Sequence, residues 1–154
     1  MLYLWLKYLH ILSSTVLFGT GIGTACVMLY GHYTQNVNAM AVINNYVVKV
    51  DWLFTGFSGF LQPVTGFWMV YLIGYPLKSL WLIGSIIGYI ITAACWFVVV
   101  FLQIKIRNIT TQAAQRNVAL PAEYYFYFKW WFFLGLPAFL SLLIVFYLMV
   151  VKPL

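Results

Sequence analysis

His10 is the only histidine inside an apolar stretch of this chain, and Lys7 lies three residues before it on the same helical face. An ionisable side chain in a membrane-spanning segment marks a functional position by default. Neutral imidazole commonly holds a metal or haem iron, and its competing role is a hydrogen bond to a neighbouring helix. Met69, six residues before Tyr75, falls near the same depth from the outer face. Imidazole and thioether together suit haem iron or Cu(I). Lys7 is placed either to meet a haem propionate or to snorkel towards the headgroups. Asp51 and Glu123 are the only acids, which argues against calcium, magnesium or a di-iron centre.

Other polar residues recur at three- and four-residue steps. Thr55, Ser58, Gly59, Gln62, Thr65 and Gly66 form one stripe with Met69. Ser85, Tyr89, Thr92, Trp96 and Gln103 form a second, and His10, Ser13, Ser14, Gly21 and Thr24 a third. Three helices are therefore expected to converge on a semi-polar interior. Close helix packing alone explains small residues and hydroxyls in such stripes, with interhelical bonds contributing about 0.6 kcal/mol each; Gln62 and His10 ask for more. His32 lies about 33 Å further along the helix than His10 and is expected as a solvated loop residue. Asp51 is read either as the start of a proton path towards Gln62 or as a partner of Lys49, Lys105 or Arg107. Cys26 and Cys95 lack CxxC spacing and are expected as packed thiols.

These residues are positioned by four long apolar stretches, about 2–30, 52–75, 80–104 and 124–151. Each can cross a hydrocarbon layer of roughly 30 Å, where only a helix satisfies its own backbone. A chain that is 65% hydrophobic and 6% charged is not a water-soluble domain. The expectation is an all-α, four-transmembrane-helix antiparallel bundle, a single membrane domain over 1–154 that keeps its first span. The net charge of +6 reflects residues flanking spans, so no nucleic-acid partner is expected. Lys49, Lys105, Arg107, Arg116 and Lys129 mark the inner side, against Lys7, Lys78 and Lys152 on the other. A multi-pass protein of the bacterial inner membrane follows, with both termini outside. Trp5, Trp52, Trp81, Trp130 and Trp131 are expected as interfacial anchors.

The second helix is expected to begin near Val37, capped by Asn36 or Asn38. Pro76 ends it in a tight turn, with Ser79 placed to cap the third helix, its antiparallel neighbour. Residues 108–121 read as an inner loop, and Pro137 as a kink in the fourth helix.

Several strings together resemble an uncharacterised bacterial family of predicted integral membrane proteins, a domain of unknown function. They are Lys7-Tyr8-Leu9-His10-Ile11-Leu12, Asp51-Trp52-Leu53-Phe54-Thr55, Gln62-Pro63-Val64-Thr65-Gly66, Cys95-Trp96 through Gln103-Ile104-Lys105-Ile106-Arg107, Leu136-Pro137-Ala138-Phe139 and Lys152-Pro153. The first span is also distantly similar to the four-helix membrane protoporphyrinogen oxidases and the copper-resistance membrane domain. That resemblance implies a b-type haem ligand at His10. The oxidases also use a lysine early in the third helix, and Trp81-Leu82-Ile83-Gly84-Ser85 has none, so their reaction does not carry over.

Two functional expectations stand. In the first, His10 holds haem b, with Met69 or an open position opposite, Lys7 near a propionate, and Ser14, Thr55, Gln62, Thr65 and Tyr89 lining the pocket. Such a protein passes electrons from a membrane quinol to an outer acceptor, as a membrane oxidoreductase. In the second, the polar stripe is a copper or small-solute passage, or an interface within a homo-oligomer or with a partner subunit.

Overall fold

The computed structural model describes residues 1–153, which are helical apart from short turns. In chain order the helices are α1 (Leu2–Tyr33), α2 (Val37–Val50), α3 (Phe57–Ile73), α4 (Leu80–Arg116) and α5 (Ala122–Val151). A π-helical turn, Asp51–Gly56, carries α2 into α3 without a break. Asn36 caps α2 as expected, its side chain accepting from the Asn38 and Ala39 amides. At the far end Gly74 takes φ 62°, which suits glycine and stops α3. Ser79 occupies the N-cap position of α4, but its hydroxyl makes no capping bond.

Three helices, α1, α4 and α5, are long and apolar enough to cross a membrane. The burial pattern is that of a protein solvated by lipid. Leu4, Ile11, Phe57, Ile90, Phe101 and Ile144 face outward, while Ser13, Thr24, Ser58, Thr65 and Ser85 are buried. Where the solvent is hydrocarbon, exposed leucine costs nothing and each hydroxyl needs a protein partner.

Helices pack in antiparallel register. α1 lies against α3, and α4 against α5. Phe18 on α1 stacks on Phe139 of α5, with ring centroids 5.7 Å apart. The expected neighbouring of α3 and α4 gives way to side-chain bridges, with Tyr89 reaching from α4 to Gly59 of α3 and Trp96 packing at Gly56 in the π-helical turn. Residues 108–116, expected as loop, instead extend α4. They are held by α2, where Asn44 donates to Thr110 and Asn45 to Thr111, with Ile106 and Thr110 fully buried. A core of Met28, Met40, Val47, Ile106, Tyr124 and Trp131 closes this end of the bundle.

His32, expected in a solvated loop, is in the last turn of α1. Its Nδ1 meets the Tyr124 hydroxyl at 2.9 Å, and its ring stacks on Phe128. Trp131 is buried rather than an interfacial anchor. Trp81 is buried too and donates to the Tyr75 hydroxyl, whereas Trp5, Trp52 and Trp130 are exposed. Cys26 faces outward instead of packing, and Cys95 is half-buried; both are free thiols.

Gly84 and Gly88 let α4 and α5 approach closely. A Cβ at Gly88 would lie 2.7 Å from Val145 Cγ2 and 3.4 Å from Ser141 Oγ, which donates to the Gly88 carbonyl. Gly88→Val is therefore expected to destabilise the bundle by about 1–3 kcal/mol. Unfolding of the purified protein in sodium dodecyl sulfate measures this, and an unchanged midpoint would rule out the tight crossing.

Candidate functional site

Asp51 is 4% exposed, deep between helices. Its Oδ1 accepts from Thr24 Oγ1 at 2.8 Å and Thr55 Oγ1 at 3.1 Å, and its Oδ2 accepts from Gln103 Nε2 at 2.7 Å. The expected pairing with Lys49, Lys105 or Arg107 is absent among the described residues. Lys105 instead lies over the Phe101 ring, and Arg107 donates to Asn108. The π-helical turn explains part of this arrangement. It starts at Asp51 and sets Thr55 where its hydroxyl reaches the carboxyl; such turns frequently sit at functional sites.

Above this cluster is a cavity of about 470 Å³ between α1, α3, α4 and α5. Its walls are mostly apolar and aromatic, and its floor is formed by Asp51, Gln103 and Trp131. The wall on α4 runs from Tyr89 to Gln103, roughly 21 Å of helix. Phe60 and Phe97 both line it while more than 60% exposed, so the cavity reaches the lipid-facing surface between α3 and α4. Gln103 Oε1, Trp131 Nε1 and Trp96 Nε1 are buried without a hydrogen-bond partner among the described residues. All three residues contribute to the cavity wall, through atoms other than these enclosed ones. Each such orphan costs on the order of 1–3 kcal/mol.

Tyr89 is explained by a proline. Pro63 lies within α3 and has no amide hydrogen, which frees the carbonyl four residues earlier, at Gly59. The Tyr89 hydroxyl donates to that oxygen at 2.8 Å. Tyr89→Phe should cost about 1 kcal/mol, read from the same detergent unfolding, because the carbonyl is then unpaired.

His10 belongs to a separate cluster nearer the chain termini. Its Nδ1 lies 2.7 Å from Thr65 Oγ1, while Thr65 donates to the Leu61 carbonyl at 2.6 Å. A hydroxyl has one proton to give, so the imidazole Nδ1–H is the donor and Nε2 keeps its lone pair. Gln62 Nε2 donates to the His10 carbonyl at 2.9 Å and also to Ser13 Oγ. Gly66 makes room for the ring, since a Cβ there would lie 3.3 Å from His10 Cε1.

A family described as "Predicted integral membrane protein (DUF2269)" matches residues 4–153. The chain belongs to this family. No curated protein and no solved structure matches it. As a DUF2269 protein it contacts the lipid bilayer directly, through the outward-facing aliphatic and aromatic belt.

The anticipated residues of this DUF2269 chain divide between the two clusters. His10, Gln62 and Thr65 come together, while Thr55 and Tyr89 line the cavity. Ser14 donates to the Ile11 carbonyl of its own helix. Met69 is half-buried one turn beyond Thr65 on α3, and Lys7 is exposed. Among the described residues no three His, Cys, Asp or Glu side chains group together. Sequence reading did not assemble Asp51, Thr24 and Gln103, although an acid and an amide at the ends of polar stripes were visible.

Proposed function

We propose that this protein is a four-span component of the bacterial inner membrane that holds a lipophilic small molecule with a polar head in the cavity above Asp51. The observation that carries the reading is a single chamber of about 470 Å³, walled by apolar and aromatic side chains, with Asp51 at one end and the exposed Phe60 and Phe97 at its lipid-facing edge. A polar head suits the Asp51 end of the chamber, and an apolar body suits its walls. Four spans are supported by the run from Asp51 to Ile73, about 34 Å long, which matches the hydrocarbon thickness. Termini on the outer face follow from the basic residues, because Lys49, Lys105, Arg107 and Arg116 cluster on α2 and α4 at the opposite end. Solvent extraction of the purified protein, followed by mass spectrometry, is expected to recover one lipophilic compound at near-stoichiometric yield. An extract holding only bulk phospholipid and detergent overturns the reading.

A second reading rests on His10. A hydrogen-bonded Nδ1–H that leaves Nε2 as a lone-pair donor is the usual state of a metal-ligating histidine. His10 would hold a haem b through Nε2, with Lys7 near a propionate, or would share a copper ion with Met69. Haem would supply electron transfer, with quinol as donor; copper without redox chemistry is the alternative. The visible spectrum of the purified protein, with and without dithionite, tests this. A Soret band lost in His10→Ala supports the reading, and a colourless wild-type protein excludes haem.

A further inference from the structure

We infer that the molecule held in the chamber is a protonated lipophilic amine whose N–H engages the Asp51 carboxylate; this deepens, and rests on, the cavity reading above. Asp51 lines the chamber and keeps 4% of its surface accessible, so the acid borders the space that a ligand fills. Among the described residues its hydrogen-bond partners are all neutral. Thr24 and Thr55 donate to Oδ1, and Gln103 donates to Oδ2. An ionised carboxyl accepts at about four lone-pair positions, so one remains on Oδ2, the oxygen with a single partner. A carboxylate without a counter-charge is costly in an apolar bundle. Lys105 and Arg107 do not supply one, being engaged at Phe101 and Asn108. A ligand that brings one positive charge and one N–H meets both needs.

The walls discriminate among cations. Hard inorganic ions such as calcium and magnesium take six or more oxygen ligands, whereas this chamber is walled mostly by apolar and aromatic side chains and, at about 470 Å³, is far larger than a bare ion. Aromatic rings attract an organic cation instead, tryptophan most strongly. Trp96 lines the chamber beside the turn that carries the acid. A Cβ on Gly56 would lie 3.3 Å from Trp96 Cη2 and 3.7 Å from the Asp51 carbonyl oxygen. The apolar body of the amine then runs along the helices to the edge at Phe60 and Phe97, where it can continue into lipid. A fatty acid is disfavoured, because its carboxylate would sit beside Asp51 with like charge.

The test uses the full chain in nanodiscs of neutral phospholipid at pH 7, where an alkylamine is protonated as lysine is. Decylamine, decanol and decanoate serve as probes of one chain length, and probe taken up by empty nanodiscs is subtracted. Decylamine should bind about tenfold more tightly than decanol, the consequence of a charge-assisted hydrogen bond. Asp51→Asn keeps the shape of the site and should lose that preference while decanol affinity stays unchanged. Equal affinity of the wild type for decylamine and decanol overturns the inference, as does decanoate binding as tightly as decylamine, or a full preference for the amine in folded Asp51→Asn. Should Asp51→Asn fail to fold, the wild-type comparison decides alone. Equal binding of amine and alcohol that Gly135→Leu weakens together overturns the amine assignment and leaves the cavity reading standing. If none of the probes binds, the amine assignment fails; the extract of the purified protein then reports separately on the cavity reading.

Discussion

Asp51→Ala is expected to lower the stability of the solubilised protein by about 3 kcal/mol, the largest loss from any single polar truncation in this chain. The carboxyl takes hydrogen bonds from Thr24, Thr55 and Gln103 in a bundle where water does not compete. Thr24 has a fallback, since its hydroxyl also lies 2.9 Å from the Thr20 carbonyl. Thr55 and the Gln103 amide lose their only partner. Asp51→Asn should behave differently. Its carbonyl oxygen can accept from both threonines, and the Gln103 amide can rotate so that Oε1 takes the new N–H. That substitution should therefore remain within about 1 kcal/mol of wild type. Unfolding titrations in sodium dodecyl sulfate distinguish the two, and equal losses for Ala and Asn would show that the hydrogen-bond cluster does not hold the helices together.

Gly135→Leu should abolish ligand retention while leaving the fold intact. Gly135 lines the cavity, and a Cβ built on it meets no atom within 4 Å. A leucine there extends into space that the ligand would occupy and does not strain α5. The expected outcome is at least a tenfold drop in co-purified ligand, with thermal stability equal to or above wild type, since burial of a leucine in a void contributes favourable packing. Gly19→Leu serves as control, because Gly19 also has open space around it but faces outward. A ligand level unchanged in Gly135→Leu would remove the cavity from the account.

Much of the architecture was legible in the residues because a membrane leaves few choices. The apolar runs located the helices, and Asn36 and Pro76 marked two of the breaks. The extension of α4 to Arg116 was not legible, because that segment is polar and its helicity rests on side-chain bonds to α2, which one helix alone does not reveal. Periodicity identified Gln62 and Thr65 as inward-facing, and it is these two, rather than Met69 or Lys7, that hydrogen-bond to His10. Asp51 was misjudged for a physical reason. In sequence its neighbour is Lys49, but α2 turns that side chain outward, and the π-helical turn faces the carboxyl towards Thr24 and Gln103. Trp131 resembled an anchor because it sits near a span end beside Trp130, and only the packing distinguishes the buried indole from the exposed one.

The central claim is that this chain holds a lipophilic ligand within the bilayer, and native mass spectrometry of the protein released from detergent tests it most directly. The account predicts that wild type carries one adduct of a few hundred to a thousand daltons, that Gly19→Leu retains it and that Gly135→Leu loses it. Wild-type protein flying at its bare polypeptide mass under conditions that preserve bound lipid would contradict it.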